Sequence, residues 1–245
     1  MNLHLSLRPA YWMILSIVAF FYSGSTFAVS ENEQLVEVHI RQDTLASYKE
    51  RRPTHGTYFS LSYEALEPIN FQSMIDGVDY KTAFGTSTIP LIYLEIEYKY
   101  NFSLGGLALG FSLGQGSVSS SISGDERKIE LGRMGVSAKY IVDNIWDEPY
   151  VAPYAGINLW QMSYKETTSS DSFSTTMQSG LSYTLGLMLQ LNWIDKGTAQ
   201  QATFDYGIEN SYVDIHASQY AKTESQDKPN LETDWILGGG LRLEF

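Results

Sequence analysis

Cysteine is absent from the 245-residue chain, so neither a disulfide framework nor a thiolate metal site can stabilise it. Proline is scarce, at seven residues, and bases are outnumbered, with 16 Lys and Arg against 28 Asp and Glu for a net charge of −12. A chain of that sign is not built to neutralise a phosphate backbone, which excludes nucleic acid as an expected partner. Long hydrophobic runs are missing as well. The one apolar stretch, Tyr11 to Tyr22, falls short of the roughly 20 residues that a spanning helix needs. It follows Arg8 and precedes Ser23, Gly24, Ser25, Thr26, Phe27 and Ala28, the layout of a secretory signal peptide cleaved after Ala28. Removing residues 1–28 takes away Arg8 and no acid, so 15 bases remain against 28 acids and the net charge becomes −13. Without a spanning helix, a membrane-embedded form of this chain has to be a closed barrel.

What is present is a period of two. From Leu181 to Trp193 the odd positions are Leu, Tyr, Leu, Leu, Leu, Leu and Trp, while the even ones include Ser182, Thr184, Gly186, Gln190 and Asn192. Strict alternation marks a strand, and its length suits a tilted crossing of a bilayer, about 9–11 residues. Seven other segments alternate in the same way. Their expected outward residues include Phe59, Leu61 and Tyr63 (about 56–66), Ile92, Leu94, Ile96 and Tyr98 (about 90–100), and Leu107, Leu109, Phe111 and Leu113 (about 104–114). Further on are Met134, Val136, Ala138 and Tyr140 (about 128–141), Val151, Ala155, Ile157 and Leu159 (about 150–164), and Ala202, Phe204, Tyr206 and Ile208 (about 201–212). The last segment, about 234–245, contributes Trp235, Leu237, Leu241, Leu243 and Phe245. Eight strands satisfy the even count of a single-chain bacterial barrel.

The connections alternate in length. Residues 67–89, 115–127, 165–179 and 213–233 are long and polar, whereas 101–103, 142–149 and 195–200 are short. Long external loops and short periplasmic turns are the habit of outer-membrane barrels. The expected fold is therefore all-β: an eight-stranded antiparallel up-and-down transmembrane barrel at 56–245, after a signal peptide (1–28) and a periplasmic extension (29–55) expected to be mobile. In that extension Arg41, Lys49, Arg51 and Arg52 could instead touch anionic headgroups. A soluble eight-stranded barrel would reverse the pattern, with a polar exterior.

The closing segment Gly238-Gly239-Gly240-Leu241-Arg242-Leu243-Glu244-Phe245 resembles the last strand of the small outer-membrane β-barrel family, the OmpA/OmpX/opacity-protein type. Pro153-Tyr154-Ala155-Gly156 and Tyr212-Val213-Asp214-Ile215 resemble further stretches of it. The resemblance covers 56–245 and implies an outer-membrane location, a lipid environment and a monomer. It also implies that Leu237, Leu241, Leu243 and Phe245 form the signal read by the barrel-assembly machinery, Gly239 being the departure from the pattern.

An eight-stranded barrel is only wide enough for its own side chains. The expected lumen set is Glu64, Glu95, Glu97, Lys99, Arg133, Lys139, Asp205, Glu209, Arg242 and Glu244. These residues either pair into a filled network, since charges taken from water must be matched, or line a narrow cation-preferring path. His216-Ala217-Ser218, with Glu224 and Glu232 downstream, places an imidazole near a hydroxyl. It resembles the His-x-Ser of lipid A deacylases, although Gln219 stands where that family has Asn. In a Ser-rich loop the pair reads more simply as solvated surface, and no catalytic residue is assigned. Asp76, Asp79, Asp125 and Glu126 lack calcium-loop spacing, so no metal or cofactor is expected. The expected role is structural or a surface interaction through long external loops, which could hold an extracellular ligand. The alternatives are a narrow channel and a lipid A acyl hydrolase.

Overall fold

The computed structural model describes residues 46–121, 126–177, 179–223 and 229–245. The expected signal peptide, most of the expected extension with Arg41, and Asp125 and Glu224 lie outside the described residues. A short helix α1 (Tyr48–Arg51) leads into β1 (His55–Leu66); α2 (Tyr80–Phe84) lies in the following connection. Then come β2 (Ile89–Phe102), β3 (Gly105–Ser120), β4 (Arg127–Ile141), β5 (Val151–Thr167), β6 (Ser172–Thr176) and β7 (Gly180–Gln190). Helix α3 (Lys196–Tyr206), β8 (Asn210–Tyr220) and β9 (Ile236–Glu244) complete the order.

Every pairing is antiparallel, and β1 bonds to both β2 and β9, which closes the ring. Eight strands make the wall. The ninth, β6, pairs with the top of β5 above β7, the register changing between Ser163↔Thr176 and Trp160↔Gly180. The seam is tied at the periplasmic end by reciprocal backbone bonds, Thr57 N–H to the Phe245 carbonyl (2.9 Å) and Phe245 N–H to the Thr57 carbonyl (2.8 Å).

Alternation places apolar residues outward around the whole ring. Phe59, Leu94, Ile96, Leu109, Phe111, Val136, Ile157, Leu185 and Leu241 are all exposed. Leaving so much large apolar surface in water would be untenable for a soluble monomer; facing acyl chains, it is the lipid-contacting band of a barrel. Aromatic residues mark its edges, with Tyr98, Tyr100 and Tyr140 below and Tyr63 and Tyr183 above.

On one side the wall rises past this band and its polarity inverts. Outward residues change from Leu113 to Gln115 and Ser117 on β3, from Met134 to Gly132 and Glu130 on β4, and from Leu159 to Gln161, Ser163 and Lys165 on β5. The inward residues over the same stretch become apolar: Val118, Ile129, Leu131, Met162 and Tyr164. The strand period is unchanged. Below the switch the surroundings are hydrocarbon, above it they are water, and the side-chain choice follows the medium.

Three sequence expectations are corrected. Residues 201–212 are not a strand: α3 occupies Lys196–Tyr206, and the seventh wall strand is β8 at Asn210–Tyr220. The helix is punctuated at both ends. Asp195 accepts a bond from the Thr198 N–H (3.0 Å) as N-cap, and Gly207 takes the left-handed C-cap conformation at φ 70°, where a side chain would be strained. Second, the turn expected at 195–200 becomes the whole connection 191–209, and the external loop expected at 213–233 shrinks to 221–235. Third, the pre-barrel stretch is not wholly a loose extension, because Tyr48 is fully buried. Arg52 there pairs with Asp143 (2.5 Å) and Arg51 with Glu209. Lys49 remains exposed, its N–H bonded to the Asp147 carbonyl at 3.1 Å.

Candidate functional site: a sealed lumen under a raised wall

Inward positions of the wall strands build the lumen in layers. At the periplasmic mouth the Lys99 ammonium lies 2.5 Å from Glu244 Oε1 and 2.5 Å from Asp143 Oδ2. It also donates to the Tyr48 hydroxyl (2.9 Å), which itself donates to Glu244 (2.6 Å). The other Glu244 oxygen accepts from Asn210 (2.8 Å) and Tyr212 (3.1 Å). Burial, and then the negative charge of Glu244, push the Tyr48 phenol well above its ordinary range, so it stays a neutral donor.

The middle layer holds Glu95, Glu97, Lys139, Arg242 and Asp214. Lys139 meets Glu95 at 2.5 Å and Glu97 at 3.1 Å, and Arg242 meets Glu97 at 3.0 Å and Asp214 at 3.6 Å. The Arg242 guanidinium lies between the rings of Tyr58 and Tyr154, 5.2 and 5.3 Å from their centroids, a favourable cation–π setting. Glu97 faces its two cations as ion pairs rather than aligned hydrogen bonds. Above this layer, Glu64 accepts from Tyr220 (2.6 Å) and Tyr93 (3.2 Å). His216 lies between Glu64 (3.3 Å) and Asp214 (3.6 Å). Gly238 creates the room: a Cβ there would come 2.3 Å from His216 Nε2 and 2.8 Å from the Tyr63 carbonyl. Arg133 lies 4.8 Å over the Tyr93 ring and donates to Ser112 (3.1 Å). The gap left at the centre of this network measures about 10 Å³, scarcely the space of a single water.

An apolar lid covers the network at the external end. Phe71, Tyr80, Phe84 and Leu231 from the external connections pack onto Leu66, Ile89, Leu131, Trp160, Met162 and Tyr164 of the strands. Tyr80 stacks on Phe84 (5.0 Å) and meets Phe71 edge-on (5.7 Å). Each such burial is worth about 1.5–3 kcal/mol, which is what holds these loops down. Arg127 adds a polar clamp, donating to Asp76 of the loop and to Glu166 of β5 (2.6 Å). Its guanidinium keeps the Asp76 carboxyl down at about 2.

Of the residues expected in the lumen, Glu64, Glu95, Glu97, Lys99, Arg133, Lys139, Arg242 and Glu244 are buried and inward. Asp205 and Glu209 are not in the lumen. Asp205 is exposed on α3, and Glu209 pairs with Arg51 in the periplasmic connection. Asp214, His216, Asp143 and Tyr48 take part instead. His216 and Ser218 are buried on β8, which corrects their reading as solvated loop residues. They do not form a catalytic pair: Ser218 Oγ lies 3.0 Å from Thr184 Oγ1, and the imidazole is bracketed by carboxylates. Glu232 stays in the loop, where it accepts from Asn70 (2.8 Å) and Asn230 (3.3 Å). The missed signal was visible, since Tyr212, Asp214, His216, Ser218 and Tyr220 alternate with Val213, Ile215 and Ala217.

A closed eight-stranded ring, an apolar band facing lipid and a paired polar interior define an outer-membrane β-barrel of the small, eight-stranded class. Leu237, Leu241 and Phe245 lie on the outward face of its closing strand, with Leu243 half-buried among them. No protein-family model and no curated protein sequence matches the chain. Among solved structures it is similar to Neisserial surface protein A, at 12% identity and a TM-score of 0.43 over 79% of this chain and 98% of that one. It is also similar to Ail, the attachment invasion locus protein of Yersinia pestis, at 16% identity and 0.41 over 77% and 97%. The β-domain of the Bordetella autotransporter BrkA gives 13% identity and 0.33 over 78% and 71%.

Proposed function

We propose that this barrel is a non-conducting scaffold that holds a rigid platform at the cell surface for recognition. The observation that carries this reading is the lid of Phe71, Tyr80, Phe84 and Leu231 over an ion-paired lumen. A conducting path needs a continuous polar channel, and here an apolar cluster crosses the external end while the periplasmic mouth is filled by Tyr48. The same lid pre-orders the loops that would meet a ligand, which lowers the ordering cost of binding. An acyl hydrolase is disfavoured because its hydroxyl and imidazole would have to reach a lipid chain, and Ser218 and His216 face the interior.

The test is surface binding by cells that display the protein. Cells expressing the wild type are compared with cells in which the exposed tip Ser169–Asp171 is replaced by Gly-Gly and with cells carrying Phe71→Ala and Phe84→Ala, on arrays of host glycans and matrix proteins. The reading expects a ligand whose retention falls in both variants at equal surface expression. Retention unchanged by both would overturn it.

A further inference from the structure

We propose that the outer face of the raised wall binds the phosphorylated sugar headgroup of a glycolipid in the surrounding outer leaflet. Three outward rows cross β3, β4, β5 and β6 above the apolar band. They are Gln115–Gly132–Ser163–Thr176, Ser117–Glu130–Lys165–Ser174 and Ser119–Lys128–Thr167–Ser172. The first begins one pleat repeat, about 6.6–6.8 Å along the strand, beyond Leu113 and Met134. The wall therefore faces sideways, continuous with the lipid-contacting band, at the height where headgroups lie. A lipid whose acyl chains lie on Leu113, Met134 and Leu159 must place its head against these rows.

The chemistry of the rows fits such a head. Among the described residues of the strands, Lys128 and Lys165 are the cations that face outward, about half exposed at 48% and 55%. They flank the carboxylate Glu130, at 2.5 and 3.7 Å, and a second exposed carboxylate, Glu126, lines a hollow beside Lys128. An ammonium has three donors, so each lysine can hold Glu130 and still reach a phosphate. Arg127 is not available, because Asp76 and Glu166 engage it. Exposed hydroxyls of Ser117, Ser119, Ser163 and Ser174 surround the pair. Two adjoining hollows of about 690 and 620 Å³ share Glu130 and Lys165, which is room for sugar rings.

Charge and position select a lipid rather than a soluble polyanion. The chain carries −12 overall and repels anions from bulk solvent, whereas a headgroup is delivered laterally by its own acyl chains. On the rest of the ring Tyr63, Ile92, Leu181 and Trp235 are exposed near the strand tops, with Gln219 of β8 the polar exception, and no lysine or arginine faces outward there among the described residues of the strands. The inference does not depend on the platform role proposed above, since it concerns the side wall and not the loops.

The experiment titrates the purified full chain in detergent with short-core lipopolysaccharide, the same lipid after removal of its phosphates, and a heparin oligosaccharide, with bound ligand read by native mass spectrometry. Wild type is compared with Lys128→Gln/Lys165→Gln and with Lys128→Arg/Lys165→Arg, each checked for heat-modifiable migration. The expected result is binding of the phosphorylated lipid that weakens about thirtyfold in the Gln pair, survives in the Arg pair, and weakens in wild type when the phosphates are removed. Equal binding of both lipid forms by wild type, or equal binding by folded wild type and Gln variants, overturns the proposal. Heparin bound more tightly than the lipid overturns it too, and assigns the wall to a soluble polysaccharide.

Discussion

Tyr48 donates a 2.6 Å hydrogen bond to Glu244, joining the first helix to the last strand across 196 positions of sequence. Lys99 of β2 completes the knot, bonding both, so three distant parts of the chain meet at the periplasmic mouth. A closed barrel with this residue already inside must either fold around it or admit it last.

Replacing Tyr48 by Phe removes the hydroxyl and leaves a buried carboxylate and ammonium each one partner short. Such a loss costs about 1–3 kcal/mol. The guanidinium unfolding midpoint in lipid vesicles should fall accordingly while the heat-modifiable folded form persists. An unchanged midpoint would show that the helix contributes nothing to the barrel.

The boundary between hydrocarbon and water is drawn on β5 between Leu159 and Gln161. Arg placed at Ala155, the central outward residue of the band on β5, should cost about 2–4 kcal/mol, whereas Arg at Gln161 should cost less than about 1 kcal/mol. Folding equilibria of both variants into bilayers measure the difference. Equal penalties would put the boundary elsewhere.

Asp76 supplies a pH test. Its carboxyl is held at about 2 by Arg127, below the ordinary value near 4. The contribution of this clamp is therefore fully present above the ordinary value and is lost as pH falls through about 2. Hydrogen exchange of residues 73–79, corrected for intrinsic rate, should show the same protection at pH 7 and pH 4. Asp76→Asn should expose the segment at both. Loss of protection in wild type between pH 7 and pH 4 would contradict the assignment.

Much of the wall was legible because its outward residues repeat every second position with nothing to imitate them. At residues 201–212 imitation occurred: Ala202, Phe204, Tyr206 and Ile208 alternate by chance within a helix and its cap. The local signals that outrank periodicity there are Asp195 ahead of Thr198 and Gly207 after Tyr206, a start and a stop. Asp214 and His216 stand on a strand whose period of two is visible in the sequence, but the polar residues of its inner face give it the composition of a loop. The apolar lid was not legible at all. Phe71, Tyr80 and Phe84 acquire their meaning only when the loop folds over Trp160 and Leu131, contacts between segments far apart in the chain. Tyr48 was unreadable for the same reason.

Gly238 should tolerate no side chain, because the Cβ of Ala would fall 2.3 Å from His216 Nε2 and 2.8 Å from backbone. Gly238→Ala is expected to lower the unfolding midpoint by the equivalent of about 1–3 kcal/mol, the usual cost of overpacking. His216→Ala in the same chain should relieve part of that loss. No relief in the double variant would mean that the Tyr63 carbonyl, and not His216, sets the limit.

The sealed lumen is tested most directly by single-molecule conductance of the purified protein in planar bilayers. With Glu95, Glu97, Lys139 and Arg242 paired, Tyr48 in the lower mouth and Trp160 and Phe84 in the upper, wild type should insert without discrete current steps at any voltage the bilayer survives. Discrete steps from wild type that disappear in Glu95→Gln/Glu97→Gln would contradict the account.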